Sequence, residues 1–393
     1  MSIKHLSLLF VLVTFIACSQ KKKQKADSSD NEYSLVPTKE YTNFEIDSDT
    51  KLYMKALYLY TDTATNKEYL TFQNVTKNEI LIYDWESKKR IKKVVAEKEG
   101  ANGVGGFFGY LMNSFDEIYL PNDDYPLICI IDTAGDLKKK FPYQTTINGD
   151  ILIPARAITI LHQPFKIIDG KIYIAQRLNW KYKSQCVEKS PVSVTIDTAT
   201  GVIKALPMKF PPIITSERYL SGVLDVEVEF SREFNGEEFV YSFLYDENIH
   251  IANIAHDSVR TVCAKSRFIK APEKAKLTDI PTDMKNLCEI AMYGNLIYDK
   301  YREVYYRFVY HSEDFNVDEE NFFELYAFGR NKFSIIILDK DFQCIGETEF
   351  PEGIYSTRGY LIRKDGLYLS TSHYKNPAFS DDILQFERIE LSN

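Results

Sequence analysis

One pattern recurs along this chain. An apolar run ends in aspartate, a turn follows, and a second strand returns. It stands as Ile80-Leu81-Ile82-Tyr83-Asp84, Ile128-Cys129-Ile130-Ile131-Asp132, Val194-Thr195-Ile196-Asp197 and Ile336-Ile337-Leu338-Asp339. An aspartate side chain bonds the backbone two residues on, and glycine supplies a positive φ. Asp132-Thr133-Ala134-Gly135 and Asp197-Thr198-Ala199-Thr200-Gly201 therefore predict hairpin turns. A polar turn and a short aromatic strand stand before the hairpins, as in Asp169-Gly170-Lys171-Ile172-Tyr173 and Asp365-Gly366-Leu367-Tyr368. Earlier still is a strand that opens on Tyr-Leu, at Gly109-Tyr110-Leu111, Arg218-Tyr219-Leu220 and Arg358-Gly359-Tyr360-Leu361. Three or four antiparallel strands per unit, repeated, predict a β-propeller.

Six units fit, over residues 53–97, 106–142, 163–208, 222–268, 287–350 and 355–391. The sixth is one strand short. Residues 42–47 or 33–37 are expected to supply that strand and close the ring, which removes two open sheet edges. The expected fold is thus all-β, a six-bladed β-propeller closed by an N-terminal strand. The 27 Tyr and 25 Phe agree with it, since flat side chains suit half-buried pleated surfaces. The best helix candidate is residues 275–287.

The N-terminus carries an address. Lys4 and His5 precede an apolar stretch over residues 6–16, too short to span a bilayer, which ends in Ala17-Cys18. That junction resembles the lipobox of bacterial lipoproteins, with Cys18 as the lipidated residue. Residues 18–32 contain Lys21, Lys22, Lys23 and Lys25 and no large apolar side chain, as expected of a flexible tether. The domain plan is then a signal peptide over 1–17, a tether over 18–32 and a propeller over 33–393. The expected location is the cell envelope, anchored by lipid to a membrane, the outer one expected. A net charge of -8 argues against a nucleic-acid partner, because phosphate binding needs a basic face.

Glu99-Gly100-Ala101-Asn102-Gly103-Val104-Gly105 and Tyr298-Asp299-Lys300-Tyr301-Arg302-Glu303-Val304-Tyr305-Tyr306-Arg307-Phe308 resemble the Bacteroidetes lipoproteins that carry domain of unknown function 4221. Those proteins are similar to TolB-like six-bladed propellers. The resemblance implies the fold and the compartment, and no activity.

No catalytic set emerges from the residues. Gly103, Gly105, Gly106 and Gly109 do not make a dinucleotide loop, since Phe108 takes the last glycine position; they predict a tight connection between the first two units. His250 and His256 lack a carboxylate that would complete a metal triad, so no metal and no cofactor is expected. Along Val304-Tyr305-Tyr306-Arg307-Phe308-Val309-Tyr310-His311 the side chains alternate between two faces, and Arg307 is expected to be buried and paired with a carboxylate. The links between units predict a binding face that carries Asn102, Arg156, His162, Arg218 and Arg358. Arg218 and Arg358 stand in matching contexts and suit capture of a carboxylate or phosphate. Asp62-Thr63-Ala64, Asp132-Thr133-Ala134, Asp197-Thr198-Ala199 and Asp257-Ser258-Val259 resemble the acceptor of Bacteroidetes O-glycosylation, which makes Thr63, Thr133, Thr198 and Ser258 candidate acceptors. The expected function is a non-enzymatic binding module for a peptide, a glycan or an envelope protein. The alternative is a hydrolase or lyase acting on glycan or ester at the propeller channel, with calcium as its candidate ion.

Overall fold

The structure, a computed structural model, describes residues 32–52, 56–152, 157–176, 190–213, 230–270, 272, 280–315 and 321–393. Cys18, Arg156, Cys186 and Arg218 lie outside the described residues. So do the leader, nearly all of the tether and the first five residues of the expected helix.

The first strand, β1 (Ser34–Glu45), is followed by five sequential four-stranded antiparallel sheets. Blade 1 is β2 (Leu57–Thr61), β3 (Glu68–Asn74), β4 (Glu79–Asp84) and β5 (Arg90–Val95). Blade 2 is β6 (Leu111–Ser114), β7 (Glu117–Pro121), β8 (Leu127–Ile131) and β9 (Leu137–Pro142). Blade 3 is β10 (Lys166–Ile168), β11 (Lys171–Ala175), β12 (Ser193–Asp197) and β13 (Ile203–Ala205). Blade 4 is β14 (Phe230–Phe234), β15 (Glu238–Phe243), β16 (Asn248–Asn253) and β17 (Val259–Cys263). Blade 5 is β18 (Met292–Asp299), β19 (Val304–Tyr310), β20 (Phe333–Leu338) and β21 (Cys344–Glu349). Blade 6 has β22 (Ser356–Arg363), β23 (Gly366–Ser370) and β24 (Ile383–Ser392), and β1 pairs with β24 as its fourth strand. Each of the first five expected units contains its blade, the sixth ends one residue before β24 does, and the N-terminal strand closes the ring. Both expected closing segments overlap β1: Ser34 to Pro37 face Ser392 to Ile389, and Tyr41 to Glu45 face Glu387 to Ile383, with a bulge between.

Every blade is sandwiched between two neighbours, so both faces of its middle strands must be apolar. Six buried hydrophobic clusters result, one at each blade–blade interface. On β4, Ile80 and Ile82 pack toward blade 2, whereas Leu81 and Tyr83 pack toward blade 6. On β19, Val304, Tyr306, Phe308 and Tyr310 join the interface with blade 6, and Tyr305 and Val309 join that with blade 4. This double burial is why these strands read as continuous apolar runs rather than alternating ones.

The aspartate turns are as expected. Asp132 Oδ1 accepts from the amides of Ala134 (2.8 Å) and Asp136 (3.0 Å), and Asp339 Oδ1 from those of Asp341 (2.9 Å) and Gln343 (2.8 Å). The left-handed position is filled by Lys88, Gly135, Gly201 and Phe342 in the four turns. Blade 4 uses the same device with other residues. Asn253 Oδ1 caps Asp257 and Ser258, and His256 takes the left-handed position at φ 58°. Burial pushes the His256 imidazole down to about 4, so it is neutral and accepts from the Tyr241 hydroxyl.

Arg307 is fully buried, but its expected carboxylate partner is replaced by backbone. Nε donates to Ser242 Oγ (2.9 Å), Nη1 to the carbonyls of Glu247 (3.1 Å) and Ala264 (2.9 Å), and Nη2 to those of Asp246 (2.5 Å) and Asn248 (3.3 Å). The guanidinium carbon stands 3.7 Å from the Tyr293 ring centroid. Burial pushes its pKa down to about 10, and it is still ionised at neutral pH. Four carbonyl dipoles and an aromatic face supply what one carboxylate would have supplied.

Two helices depart from the pure β plan. The first, α1 (Ile280–Glu289), lies in the link from blade 4 to blade 5 and overlaps the expected helix. The second, α2 (Phe322–Phe328), was not anticipated; it starts at Asn321, whose side chain accepts from the Glu324 amide, and stops at Gly329. Arg330 ties α1 down, donating to the carbonyls of Leu287 (2.7 Å), Ile290 (2.9 Å) and His311 (2.5 Å).

Candidate functional site

All six innermost strands converge on one axial channel. Its wall includes Tyr58 and Tyr60 from β2, Met112 from β6, Lys166 from β10, Glu233 from β14, Tyr298 from β18 and Tyr360 and Ile362 from β22. The channel encloses about 370 Å³, within the range of small-molecule sites. Antiparallel blades place every hairpin joining strands one and two, and three and four, on one face of the disc. The links between blades open on the other.

The wall is aromatic and aliphatic with a few polar groups. Lys166 Nζ sits 3.1 Å from Glu233 Oε2, an ion pair across 67 residues of sequence and two adjacent blades. Tyr58 donates from its hydroxyl to the Thr159 carbonyl at 3.1 Å. The Tyr360 hydroxyl is buried and meets no hydrogen-bond partner among the described residues, in a side chain that also belongs to the blade 5–6 core. Burial pushes both phenols well above their ordinary range, and the nearby Glu233 carboxylate pushes the same way. Both are therefore neutral hydroxyls.

The glycine-rich segment runs from β5 to β6, as expected, and positions the second wall strand. Gly109 has φ 76°, and a Cβ there would lie 1.6 Å from the Thr159 carbonyl oxygen. Its amide donates to Gln73 Oε1 (2.8 Å), and Gln73 Nε2 donates to the Phe107 carbonyl (2.8 Å). Gln163 reaches Phe230 in the same way (3.1 Å), and Asn295 reaches Thr357 (2.8 Å). These side-chain amides fix where an inner strand enters the ring.

The three described candidate binding residues, Asn102, His162 and Arg358, stand around the channel rather than in its wall. Asn102 is half-buried on the outer side of blade 2, donating to Asp136 Oδ1 (3.1 Å) and accepting from the Leu137 amide (3.3 Å). His162 is buried just before β10, and its carbonyl accepts from the Arg232 amide (2.8 Å); its neighbours Leu161 and Pro164 line the channel. Arg358 lies with its guanidinium 4.9 Å from the Tyr326 ring centroid, in a small pocket beneath α1 and α2. Lys166, Glu233 and Tyr58 went unnoticed in the sequence. Tyr360 was visible there as a strand-opening residue, without its role in the wall.

The four candidate glycosylation residues all occupy hairpins of one face. Thr63 and Ser258 are exposed, whereas Thr133 and Thr198 are half-buried. The Thr198 hydroxyl already donates to the Gly170 carbonyl at 2.8 Å.

One cluster has the outline of a nucleophilic triad. His311 Nε2 lies 3.0 Å from Ser334 Oγ, and its Nδ1 lies 3.5 Å from Glu349 Oε1. Ser334 is fully buried and donates to Glu347 Oε1 at 2.7 Å, so its oxygen cannot meet a substrate. The cluster is an interior hydrogen-bond network. Among the described residues, no group of three His, Cys, Asp or Glu side chains gathers to hold a metal ion. No described helix is long and apolar enough to cross a membrane.

Fold and wall together define a six-bladed β-propeller with a ligand-sized axial channel. The chain belongs to the DUF4221 family, described as a domain of unknown function, whose family model matches residues 33–349. It is similar to the crystal structure of a DUF4221 family member from Bacteroides vulgatus, at 27% identity and a TM-score of 0.80, over 93% of this chain and 100% of that one. A putative exported protein from Bacteroides fragilis shares the fold at 9% identity and a TM-score of 0.52, over 92% of this chain and 98% of that one. No curated protein matches the sequence.

Proposed function

We propose that this chain is a lipid-anchored propeller of the cell envelope that binds a ligand in its axial channel without transforming it. The channel carries this reading: six strands build a ligand-sized space whose wall is rich in aromatic side chains and holds the Lys166–Glu233 ion pair. Aromatic faces with a few fixed polar groups are the composition of binding sites. The occupant is a small molecule, or the end of a peptide or glycan. The anchor reading rests on the Ala17-Cys18 junction behind an apolar stretch.

Two measurements test this. Cys18→Ala abolishes incorporation of labelled palmitate and moves the protein from the membrane to the soluble fraction; a variant that still labels and sediments with membrane removes the anchor. Ile362→Trp puts an indole into the channel wall. The native protein, purified from envelope and examined by native mass spectrometry, carries a bound mass that this variant loses. The same bound mass on both proteins removes the channel as the site.

A further inference from the structure

We propose that the outer rim of blades 1 to 3 rests on the anionic headgroups of a phospholipid bilayer. The outer strands of the six blades differ in charge. Arg90, Lys92 and Lys93 stand on β5, Lys138, Lys139 and Lys140 on β9, and Lys204 on β13, with no acid on any of the three. On the other half of the ring, Arg260 of β17 is paired with Glu238. There β21 holds Glu347 and Glu349 and no cation, and β1 holds Lys39 against Glu40 and Glu45. Asp47 and Glu79 stand beside Arg90 and Lys93, and Asp132 beside Lys138. Lys92, Lys139, Lys140 and Lys204 are exposed, and among the described residues they form no ion pair. Lys139 and Lys140 donate instead to the carbonyls of Thr198 (2.5 Å) and Gly103 (3.0 Å). A chain of net charge -8 thus gathers four lysines without counter-ions on one half of its rim.

These strands form one continuous surface. The turn from β8 to β9 abuts β5, where a Cβ on Gly135 would lie 2.6 Å from the Val95 carbonyl oxygen. Lys139 reaches the turn from β12 to β13 at Thr198, and the Ile147 amide donates to the Ile203 carbonyl of β13 at 2.8 Å. Aliphatic side chains sit between the charges. Ile91 and Val95 of β5 are each 49% exposed, and Ile147 and Ile151, in the link after β9, are 60% and 66% exposed. No other described isoleucine is as exposed. Lysines alone on an outer strand would act as guards against pairing with another chain. Exposed isoleucine and valine on the same edge work against that guard, so it leaves them without a reason. An anionic bilayer accounts for both: the ammonium groups meet headgroup phosphates, and the aliphatic tips enter the headgroup boundary. Nucleic acid fits less well, since it is held by guanidinium forks and stacking rings, and the unpaired cations here are lysines among aliphatic side chains. Seated on this rim, the disc stands on edge, the axial channel runs parallel to the bilayer, and both of its mouths stay open. The rim is separate from the channel and does not depend on the Cys18 anchor, so each reading can fail alone.

The test is co-sedimentation of the acyl-free mature chain, carrying Cys18→Ala, with vesicles of phosphatidylcholine alone or with about one third phosphatidylglycerol. The chain binds the anionic vesicles and not the neutral ones, and about 0.5 M salt releases it. Lys92→Gln, Lys139→Gln, Lys140→Gln and Lys204→Gln together weaken binding by at least about tenfold and leave the circular dichroism spectrum native. The same charge change at Lys67, Lys270, Lys340 and Lys364, all exposed and away from these strands, weakens it by at most about threefold, because distant charges are screened. Ile91→Trp adds tryptophan emission that shifts to the blue on anionic vesicles. The chain without residues 18–32 still binds. No binding to anionic vesicles, or an equal loss in the two quadruple variants, overturns the proposal. So does binding that vanishes with residues 18–32, or an Ile91→Trp emission that vesicles leave unshifted. Rim-dependent binding of a short DNA duplex as tight as that of the vesicles overturns the choice of lipid.

Discussion

Replacing Arg307 by methionine lowers the unfolding free energy by about 3–5 kcal/mol, the cost of breaking a buried charged network from one side. The side chain is fully buried at the interface of blades 4 and 5 and satisfies four carbonyls and a hydroxyl. Methionine fills much of the volume, so the loss comes from the acceptors left without donors, each worth about 1–3 kcal/mol at full burial. Lysine retains the charge and does not rescue. It has three donors on one atom, cannot reach acceptors spread around the edge of the guanidinium plane, and loses the stack on Tyr293. Urea unfolding of the two variants checks this. A loss below about 1 kcal/mol in Arg307→Met would mean that water already shares those carbonyls.

Among the described residues, Arg232 and Arg330 act in the same way as Arg307. Arg232 is also fully buried; it donates to the carbonyls of Pro164 (2.7 Å) and Tyr173 (3.1 Å) and to Ser193 Oγ (2.9 Å), and so joins blade 4 to blade 3. Arg330 holds the C-terminal carbonyls of α1. A guanidinium that collects carbonyls from an adjacent element acts as a peg between rigid bodies. Sequence shows the cation but not this mode of pairing, since a carbonyl acceptor has no residue identity to search for.

The same distinction separates what was legible from what was not. Strands buried on both faces advertise themselves as apolar runs, and Asx turns advertise themselves as Asp followed by small residues. Together they reveal the blades. The short sixth unit reveals the closure, because a propeller cannot leave a gap. Blade 4 is less legible because Asn253 and His256 do the work of Asp and Gly. The helix α2 hides in an aromatic run, Phe322-Phe323-Glu324-Leu325-Tyr326-Ala327-Phe328, whose residue types favour strands. Its cap at Asn321 was the available signal. The channel wall is the least legible part. Tyr58, Lys166, Glu233 and Tyr360 come from four blades, and only the closed ring brings them together.

The ring itself gives the other large effect. Deleting residues 18–32 leaves the melting temperature unchanged, since they hold no large apolar side chain. Deleting residues 18–48 removes β1 and yields a chain that melts far lower or aggregates. Beyond its backbone ladder with β24, β1 fastens blade 6 on both sides. Leu35 packs into the blade 5–6 core, and its amide donates to Thr348 Oγ1 on β21 at 2.8 Å. The Tyr33 amide donates to the Ile345 carbonyl at 3.0 Å. At the other end, Phe44 packs into the blade 6–1 core, edge-on to Tyr83 and Phe386 and 5.3 Å from the Trp85 ring. One strand therefore adds side chains to both interfaces of blade 6, with blade 5 and with blade 1. Its loss bares the full edge of β24, a template for pairing with another chain. The point variants separate the contributions: Phe44→Ala costs about 3–5 kcal/mol and Leu35→Ala about 2–5 kcal/mol, by cavity formation with the ladder intact. The longer deletion exceeds either alone, because it also opens the ring. Equal melting temperatures for the two deletions would show that blade 6 holds its place without its fourth strand.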